Sequence, residues 1–448
     1  MKILVFHAAG AYQYQAVDRF LVEIEQGFKE LGHEILTVDV KASDFVAQTQ
    51  EKFTQGPSFA FSFNGAGHRL QIEGKSLFDV IGVPFFDFLL DHPAHQYEKL
   101  DGTIENEILS CVERSHLDFL EFVFGGKKTA FFIPHGGPQA KEQNEGERPM
   151  DLVFCGSGKD PKGIRNGVQA LPAPLLRVFE GAVDALGASP SSPVHEAVEE
   201  ACRAEHFAPP TLYRQVALTM VVEAYLRNLW RVEILETLDA SGIPAQVYGD
   251  GWDFANFENH VLHPAVDYEG GLRLLTQAKV ALNLSPQFFS GSHERVFDAA
   301  LNGAACLTTR SSYLAEVFPA DEAMAYHDVS EPASVVEQAR LLLEDDSRRS
   351  DVAQVAKLTA GRKHTWQVRA EEVVDAYQTH AQMRDTLLKL EHVLYSIVKN
   401  IHLFPPVIPG KSTPYETIGN ALDEKAEAVL AQTEKKGLGF NLFGFGGS

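Results

Sequence analysis

The sequence predicts an α/β chain of two units, each a parallel sheet covered by helices, facing one another across a cleft. Three observations carry that expectation: short apolar runs that do not alternate with polar residues, helical spacing between them, and a second such series after a polar linker. The first run, KILVFHAAG, ends in small residues. Val17, Phe20, Leu21, Ile24, Phe28 and Leu31 then share one helical face until Gly32 stops it, and EILTVDV follows as a second strand. Further strands are expected at SFAFSFNG, VPFFDFLLD and KTAFFIPHG.

KEQNEGERP, Lys141 to Pro149, is polar with Gly and Pro and reads as the linker between a first unit, residues 1–145, and a second, residues 150–365. DLVFCGSG reopens the strand series. Residues of about 160–240 then give helical patterns around Leu176 to Leu186 and from Tyr213 to Leu238, with no strand, and read as a helical insertion. Strands resume at PAQVYG, HVLHPAV, KVALNLS and AACLTT, with helices through Leu272 to Ala278 and Glu294 to Asn302. Residues 366–405 form closing helices over the first unit, where Leu387, Leu390, Leu394 and Ile397 continue one apolar stripe. Residues 406–448 are a partly disordered tail whose end, GLGFNLFGFGGS, is too short and too glycine-rich for a core of its own.

The 448 residues carry 39 Lys and Arg against 61 Asp and Glu, a net charge of −22 that repels phosphodiester backbones and argues against a nucleic acid partner. Cys111, Cys155, Cys202 and Cys306 are far apart and form no CxxC pair. They suggest neither a zinc knuckle nor a disulfide framework, and reduced thiols in the cytoplasm are expected. No apolar run is long enough to span a membrane.

Chemistry is expected first at the loop and helix of SGSHERVFDAALNG. Ser292 stands where it could cap the helix, and Arg295 sits in the first turn, the unfavourable end for a cation unless an anion neutralises it. The backbone N–H groups there, with Gly291 admitting close approach, would seat a diphosphate, and Asp298 could take a ribose hydroxyl pair. Alternatively Arg295 pairs with a carboxylate of the first unit and His293 packs. In the first unit, NGAGHR supplies Asn64, Gly65 and His68, and FDFLLDHPAHQY supplies Asp87, Asp91, His92 and His95. A carboxylate beside imidazoles at a strand end could accept a hydroxyl proton, with Asp91 the first choice as base and His7 and His92 its rivals. Asp91 and His92 could equally form only a turn before Pro93. No metal is expected, because the ligand spacing of a helix-borne site is missing. The turns HAAGA and CGSGKDPKG, the latter with Lys159, lie at strand ends where ligands bind in such sheets. Tyr225, Leu229 and Trp230 read as core.

VYGDGW, HVLHPAVDY, QAKVALNLSP and GSHERVFDAALNGAACLTTRSSYL, from Val247 to Leu314, resemble the C-terminal half of the CgeB-like glycosyltransferases, of the two-Rossmann-domain superfamily called GT-B. The resemblance implies a GT-B-like fold and metal-independent transfer of a sugar from a nucleotide-diphosphate donor, UDP- or GDP-linked, to a protein or polysaccharide hydroxyl, with no further cofactor. It places Gly291, Ser292, His293 and Arg295 at the diphosphate, and Gly249 and His263 near the base or sugar. Retaining members of the superfamily carry two glutamates eight positions apart; here those positions hold Ser290 and Asp298, so retention or inversion stays open. A nucleotide-sugar epimerase of this architecture and a catalytically silent glycan-binding scaffold are the alternatives. The oligomeric state is unspecified.

Overall fold

The computed structural model describes residues 1–400 except 9, 11, 12, 103, 145, 206–211, 286 and 321; of residues 13, 212, 213, 392, 393 and 395–400 it describes the backbone alone. The expected tail at 406–448 and the end of the closing helices at 401–405 lie outside the described residues. The first unit is a six-stranded sheet of β1 (Lys2–His7), β2 (Glu34–Asp39), β3 (Phe59–Phe63), β6 (Phe85–Leu89), β7 (Glu107–Cys111) and β8 (Thr129–Phe132). A two-stranded hairpin, β4 (Gln71–Ile72) and β5 (Lys75–Ser76), precedes β6. The order is β2-β1-β3-β6-β7-β8, every pair parallel.

Parallel strands buried on both faces explain the unbroken apolar runs, since every residue of β3 (FAFSF) and β6 (FFDFL) is buried. The spacing does not reveal β7, because EILSC opens on a charge and holds Ser110. Glu107 is nonetheless buried there, accepting from Lys128 Nζ at 2.5 Å and meeting His68 Nε2 at 2.8 Å. The Ala16–Glu30 helix buries Val17, Phe20, Leu21, Ile24 and Phe28 against this sheet. The helix Trp366–Asn400 returns from the second unit and packs on it. A Cβ on Gly27 would lie 2.8 Å from the Cβ of Ala370, so glycine there permits the contact.

The second unit holds β9 (Met150–Cys155), β10 (Gln246–Tyr248), β11 (Val261–His263), β12 (Ala278–Asn283), β13 (Ala305–Thr309) and β14 (Ala325–His327). Their order is β11-β10-β9-β12-β13-β14, again all parallel. That is the dinucleotide-fold order, in which strand order reverses between β9 and β12 and opens a crevice at their carboxyl ends. Between β9 and β10 come, among the described residues, the helices Pro161–Val168, Ala173–Ala188, Val194–Ala204 and Leu212–Ala240, whose packed faces form a small core of their own. No helix among the described residues is long and apolar enough to cross a membrane.

The units meet along several polar seams. Arg19 pairs with Glu269 at 2.6 Å, and Arg114 grips Glu316 through two hydrogen bonds of 2.9 and 2.8 Å. Glu113 forms an isolated antiparallel bridge with Gly291, and Ser292 N donates to Val112 O at 3.2 Å. A Cβ on Gly291 would come within 2.2 Å of Val112 O. Gly291→Ala is therefore expected to push the units apart and destabilise the fold by about 1–3 kcal/mol, as overpacking does. A lowered urea midpoint at unchanged slope is the readout.

Candidate functional site

Two cavities flank the β9–β12 crevice. One, of about 230 Å³, is lined mainly by the second unit, including Tyr248, Gly249, Tyr268 and Asp298, with Tyr14 and Ala16 of the first unit. The other, of about 610 Å³, lies between the units and is bordered by Asp91, Glu113, Glu223 and Lys159. Ser157, Arg231 and Arg295 border both, so these three stand where the cavities meet.

Arg295, in the first turn of the Glu294–Leu301 helix, donates Nη1 to Cys155 O at 2.8 Å, and its Nη2 meets His293 Nε2 at 2.9 Å. Arg231, on the long inserted helix, donates Nη1 to Ser157 O at 2.8 Å and Nη2 to Leu284 O at 3.5 Å. These carbonyls follow or end β9 and β12, the two strands at the switch point. Neither guanidinium has a carboxylate partner among the described residues. Burial, reinforced by the charge of Arg295, holds the Arg231 guanidinium well below its ordinary range. Two guanidiniums that border one crevice, neither in an ion pair among the described residues, suit a doubly charged anion.

The structure gives the neighbouring residues other duties than those expected. Ser290 donates both its backbone N–H, at 3.0 Å, and its hydroxyl to Glu113. Gly291 is pressed against Val112 and Glu113, and neither Ser290 nor Gly291 borders either cavity. Ser292 is fully buried and does not cap the helix; its hydroxyl donates to His293 O at 3.1 Å, while His293 stands at the cap position with no side-chain capping bond. Their physical role is the seam between units. His293 borders the larger cavity, but its Nδ1 lies 2.6 Å from Glu294 Oε2 and its Nε2 faces Arg295. It orients the guanidinium and leaves no N–H for an anion. Burial first, and then Arg295, lower its pKa.

Asp298 does border the smaller cavity, and Tyr268 Oη lies 2.8 Å from each of its oxygens. Burial, with the charge of Glu294 adding to it, drives this carboxyl well above the usual range. Tyr268→Phe removes its only side-chain hydrogen-bond donor among the described residues. The expected cost is about 1–3 kcal/mol of stability, read as a lower melting temperature, together with weaker binding in the smaller cavity. Gly249 lines that cavity at φ 158°, and a Cβ on it would lie 2.3 Å from Gly156 O, so two turns approach there as only glycine allows. His263 borders neither cavity: its Nε2 meets Gln246 Oε1 at 2.7 Å and its ring stacks on Tyr248 at 4.3 Å.

In the first unit, Asp91 is exposed at the rim of the larger cavity, where it accepts from Asn64 Nδ2 at 3.1 Å. Asn64 is itself held by Leu90 N, which donates to its Oδ1 at 2.9 Å. His92 borders the same cavity, but its Nδ1 accepts from Ala94 N at 3.1 Å, which places the neutral ring's proton on Nε2. Burial lowers its pKa well below the ordinary value. It can donate a hydrogen bond into the cavity and is poorly made to take a proton. His7 turns toward the Ala16–Glu30 helix, 2.6 Å from Glu25 Oε1, and borders neither cavity. Asp87 and His68 stay inside the unit. Asp87 accepts from Gly65 N at 2.7 Å, and burial pushes it up to about 6. Of the turns at strand ends, Ser157, Gly158 and Lys159 reach the larger cavity, while Gly10 is exposed and borders neither.

Sequence reasoning missed Arg231 and Glu113. Arg231 interrupts the apolar stripe of Leu226, Trp230, Ile234, Leu235 and Leu238, and a charge on a buried face was the available signal. Glu113 is 1% exposed; burial pushes its carboxyl up to about 7 against the hydrogen bonds from Ser290 and Ser115. Nothing in its local sequence marks it, because its partner is 177 residues away.

Residues 227–375 match the family described as glycosyl transferase-like. That region contains Arg231, Arg295 and Asp298, and so most of the anion seat. No curated protein matches the chain. Among solved structures, sucrose-phosphate synthase from Thermosynechococcus elongatus aligns over 84% of this chain and 98% of its own at 10% identity and a TM-score of 0.44. AviGT4, a glycosyltransferase involved in avilamycin A biosynthesis, aligns over 84% and 97% at 14% identity and a TM-score of 0.45. Anabaena HepE, solved with UDP-glucose, aligns over 86% and 100% at 11% identity and a TM-score of 0.42.

Proposed function

We propose that this chain is a CgeB-like glycosyltransferase that moves a sugar from a nucleoside-diphosphate donor, UDP- or GDP-linked, to a hydroxyl acceptor, without a catalytic metal. One observation carries the reading: the paired guanidiniums of Arg231 and Arg295, lacking carboxylate partners among the described residues, at the switch point of a dinucleotide-fold sheet. In this reading the nucleoside occupies the smaller cavity with its ribose toward Asp298, the diphosphate lies between the arginines, and the sugar enters the larger cavity.

Transfer breaks the bond between the anomeric carbon and the diphosphate oxygen, and its electron pair leaves with the diphosphate. The guanidiniums act here, because charge grows on that oxygen as the bond lengthens, and fixed donors stabilise it without reorganising. The acceptor oxygen forms the new bond and gives its proton to the Asp91 carboxylate, which Asn64 aims. His92 donates a hydrogen bond to the sugar or acceptor. The reaction suits the cytoplasm, where nucleotide sugars and reduced thiols coexist, and either a protein or a polysaccharide can present the hydroxyl.

A thermal-shift screen against nucleoside diphosphates and their sugars tests the reading. A ligand at a hundred times its dissociation constant stabilises by about 2.7 kcal/mol, so a true donor raises the melting temperature and an unrelated nucleotide does not. A flat response across uridine and guanosine diphosphates and their hexose derivatives would reject it.

A further inference from the structure

The larger cavity contains more than a transferred sugar requires, and the extra wall comes from the inserted helices. The tip between Ala173–Ala188 and Val194–Ala204, with Pro190, Ser192 and Pro193, borders it, as does Leu226 of the long helix. At about 610 Å³ the space is in the range of small-molecule sites, roughly 300–1,000 Å³. A space of that size accommodates a saccharide end and not a folded protein surface.

The wall that carries Asp91, His116, Glu223 and Gln287 offers hydrogen-bond acceptors. Glu223 is buried, with His95 Nε2 at 3.4 Å from one oxygen and Arg227 Nη1 at 3.3 Å from the other. Burial pushes its carboxyl up, but the His95 hydrogen bond and the Arg227 charge outweigh it, and the carboxyl stays ionised. Gln287 donates Nε2 to Glu223 O at 2.9 Å and leaves its Oε1 without a partner among the described residues. His116 Nδ1 is likewise unpartnered there, and Asp91 adds a second carboxylate at the rim. Phe288 and Phe289, both half-buried, supply an apolar face beside these groups. Carboxylates and an amide oxygen take hydroxyl donors, and the Asp91 carboxylate, which has no ion-pair partner among the described residues, repels anions at the rim; an apolar face suits the C–H side of a pyranose ring.

We infer that the inserted helices build an acceptor subsite for an uncharged saccharide, one or two sugar residues at a chain end, rather than for a protein side chain or an acidic sugar. The inference rests on the transfer reading and names the acceptor that site takes.

The test is ligand-observed saturation-transfer NMR on the full chain with lactose, maltose and cellobiose, with glucuronate and glucose 6-phosphate as charged comparators. Nucleoside diphosphate binding is measured on the same sample. At least one uncharged disaccharide is expected to receive saturation and the charged sugars none. Ser192→Trp, which adds bulk to the cavity wall from a half-buried turn, should abolish the signal. Glu223→Gln should raise the dissociation constant at least tenfold while far-ultraviolet dichroism stays native. Silence from all three disaccharides, or a signal indifferent to Ser192→Trp, would overturn the subsite even if nucleotide binds. Absence of nucleotide binding would instead strike the transfer reading itself.

Discussion

Arg295→Ala is expected to lower kcat/KM for glycosyl transfer by about 10²–10³, on the order of 2–4 kcal/mol, as loss of one preorganised donor does. Arg295 stands at the junction of the cavities and is fixed from two sides, by Cys155 O at 2.8 Å and by the His293 ring at 2.9 Å. His293 is in turn held by Glu294 at 2.6 Å. A guanidinium aimed in this way needs no rearrangement when charge grows on the leaving diphosphate. Lysine cannot replace it, because it lacks the planar fork that engages carbonyl, imidazole and phosphate together. Arg295→Lys should recover less than a tenth of the activity. Turnover and nucleotide binding measured on both variants check the assignment; unchanged turnover in Arg295→Ala contradicts it.

Arg231→Met should separate function from stability. Arg231 bonds two backbone carbonyls and leaves Nε without a partner among the described residues, close enough to Arg295 to be repelled by it. Were it placed for stability alone, a carboxylate would be expected beside it. Removing a buried cation without a counter-ion while keeping its volume relieves that repulsion. That relief offsets the loss of the hydrogen bonds to Ser157 O and Leu284 O, so the melting temperature of the ligand-free variant is expected to stay close to that of the unmodified chain. Loss of a charge-assisted hydrogen bond to the ligand costs about 1.5–3 kcal/mol, roughly ten- to a hundredfold in Kd for a nucleoside diphosphate. The double variant should lose less than the sum of the singles, since both arginines meet one anion. A marked drop in melting temperature with unaltered nucleotide affinity would assign Arg231 to the fold instead.

The sequence showed most plainly what local periodicity controls. Val17, Phe20, Leu21, Ile24 and Phe28 write the first helix, and the phenylalanines of β3 and β6 write strands buried on both faces. Strand β7 stayed hidden because Glu107 looks like a surface charge until Lys128 pairs with it and the His68 ring meets its other oxygen. The unfavourable position of Arg295 was legible, since a cation at the start of a helix asks for an anion. Its neighbours were misread for a common reason. Ser290, Gly291 and Ser292 meet residues 112 and 113 of the other unit, a contact that no local pattern encodes. Arg231 was masked in the same way by its apolar helix, and only the sheet order, which reverses between β9 and β12, brings its guanidinium beside Arg295.

Isothermal titration of uridine and guanosine diphosphates into the unmodified chain and into Arg231→Met/Arg295→Ala bears most directly on the paired-guanidinium seat. One diphosphate should bind the unmodified chain at a single site, and the double variant should lose at least a hundredfold in affinity while its unfolding transition stays cooperative. Equal affinity in both proteins, or heat from neither nucleotide in the unmodified chain, would contradict the account.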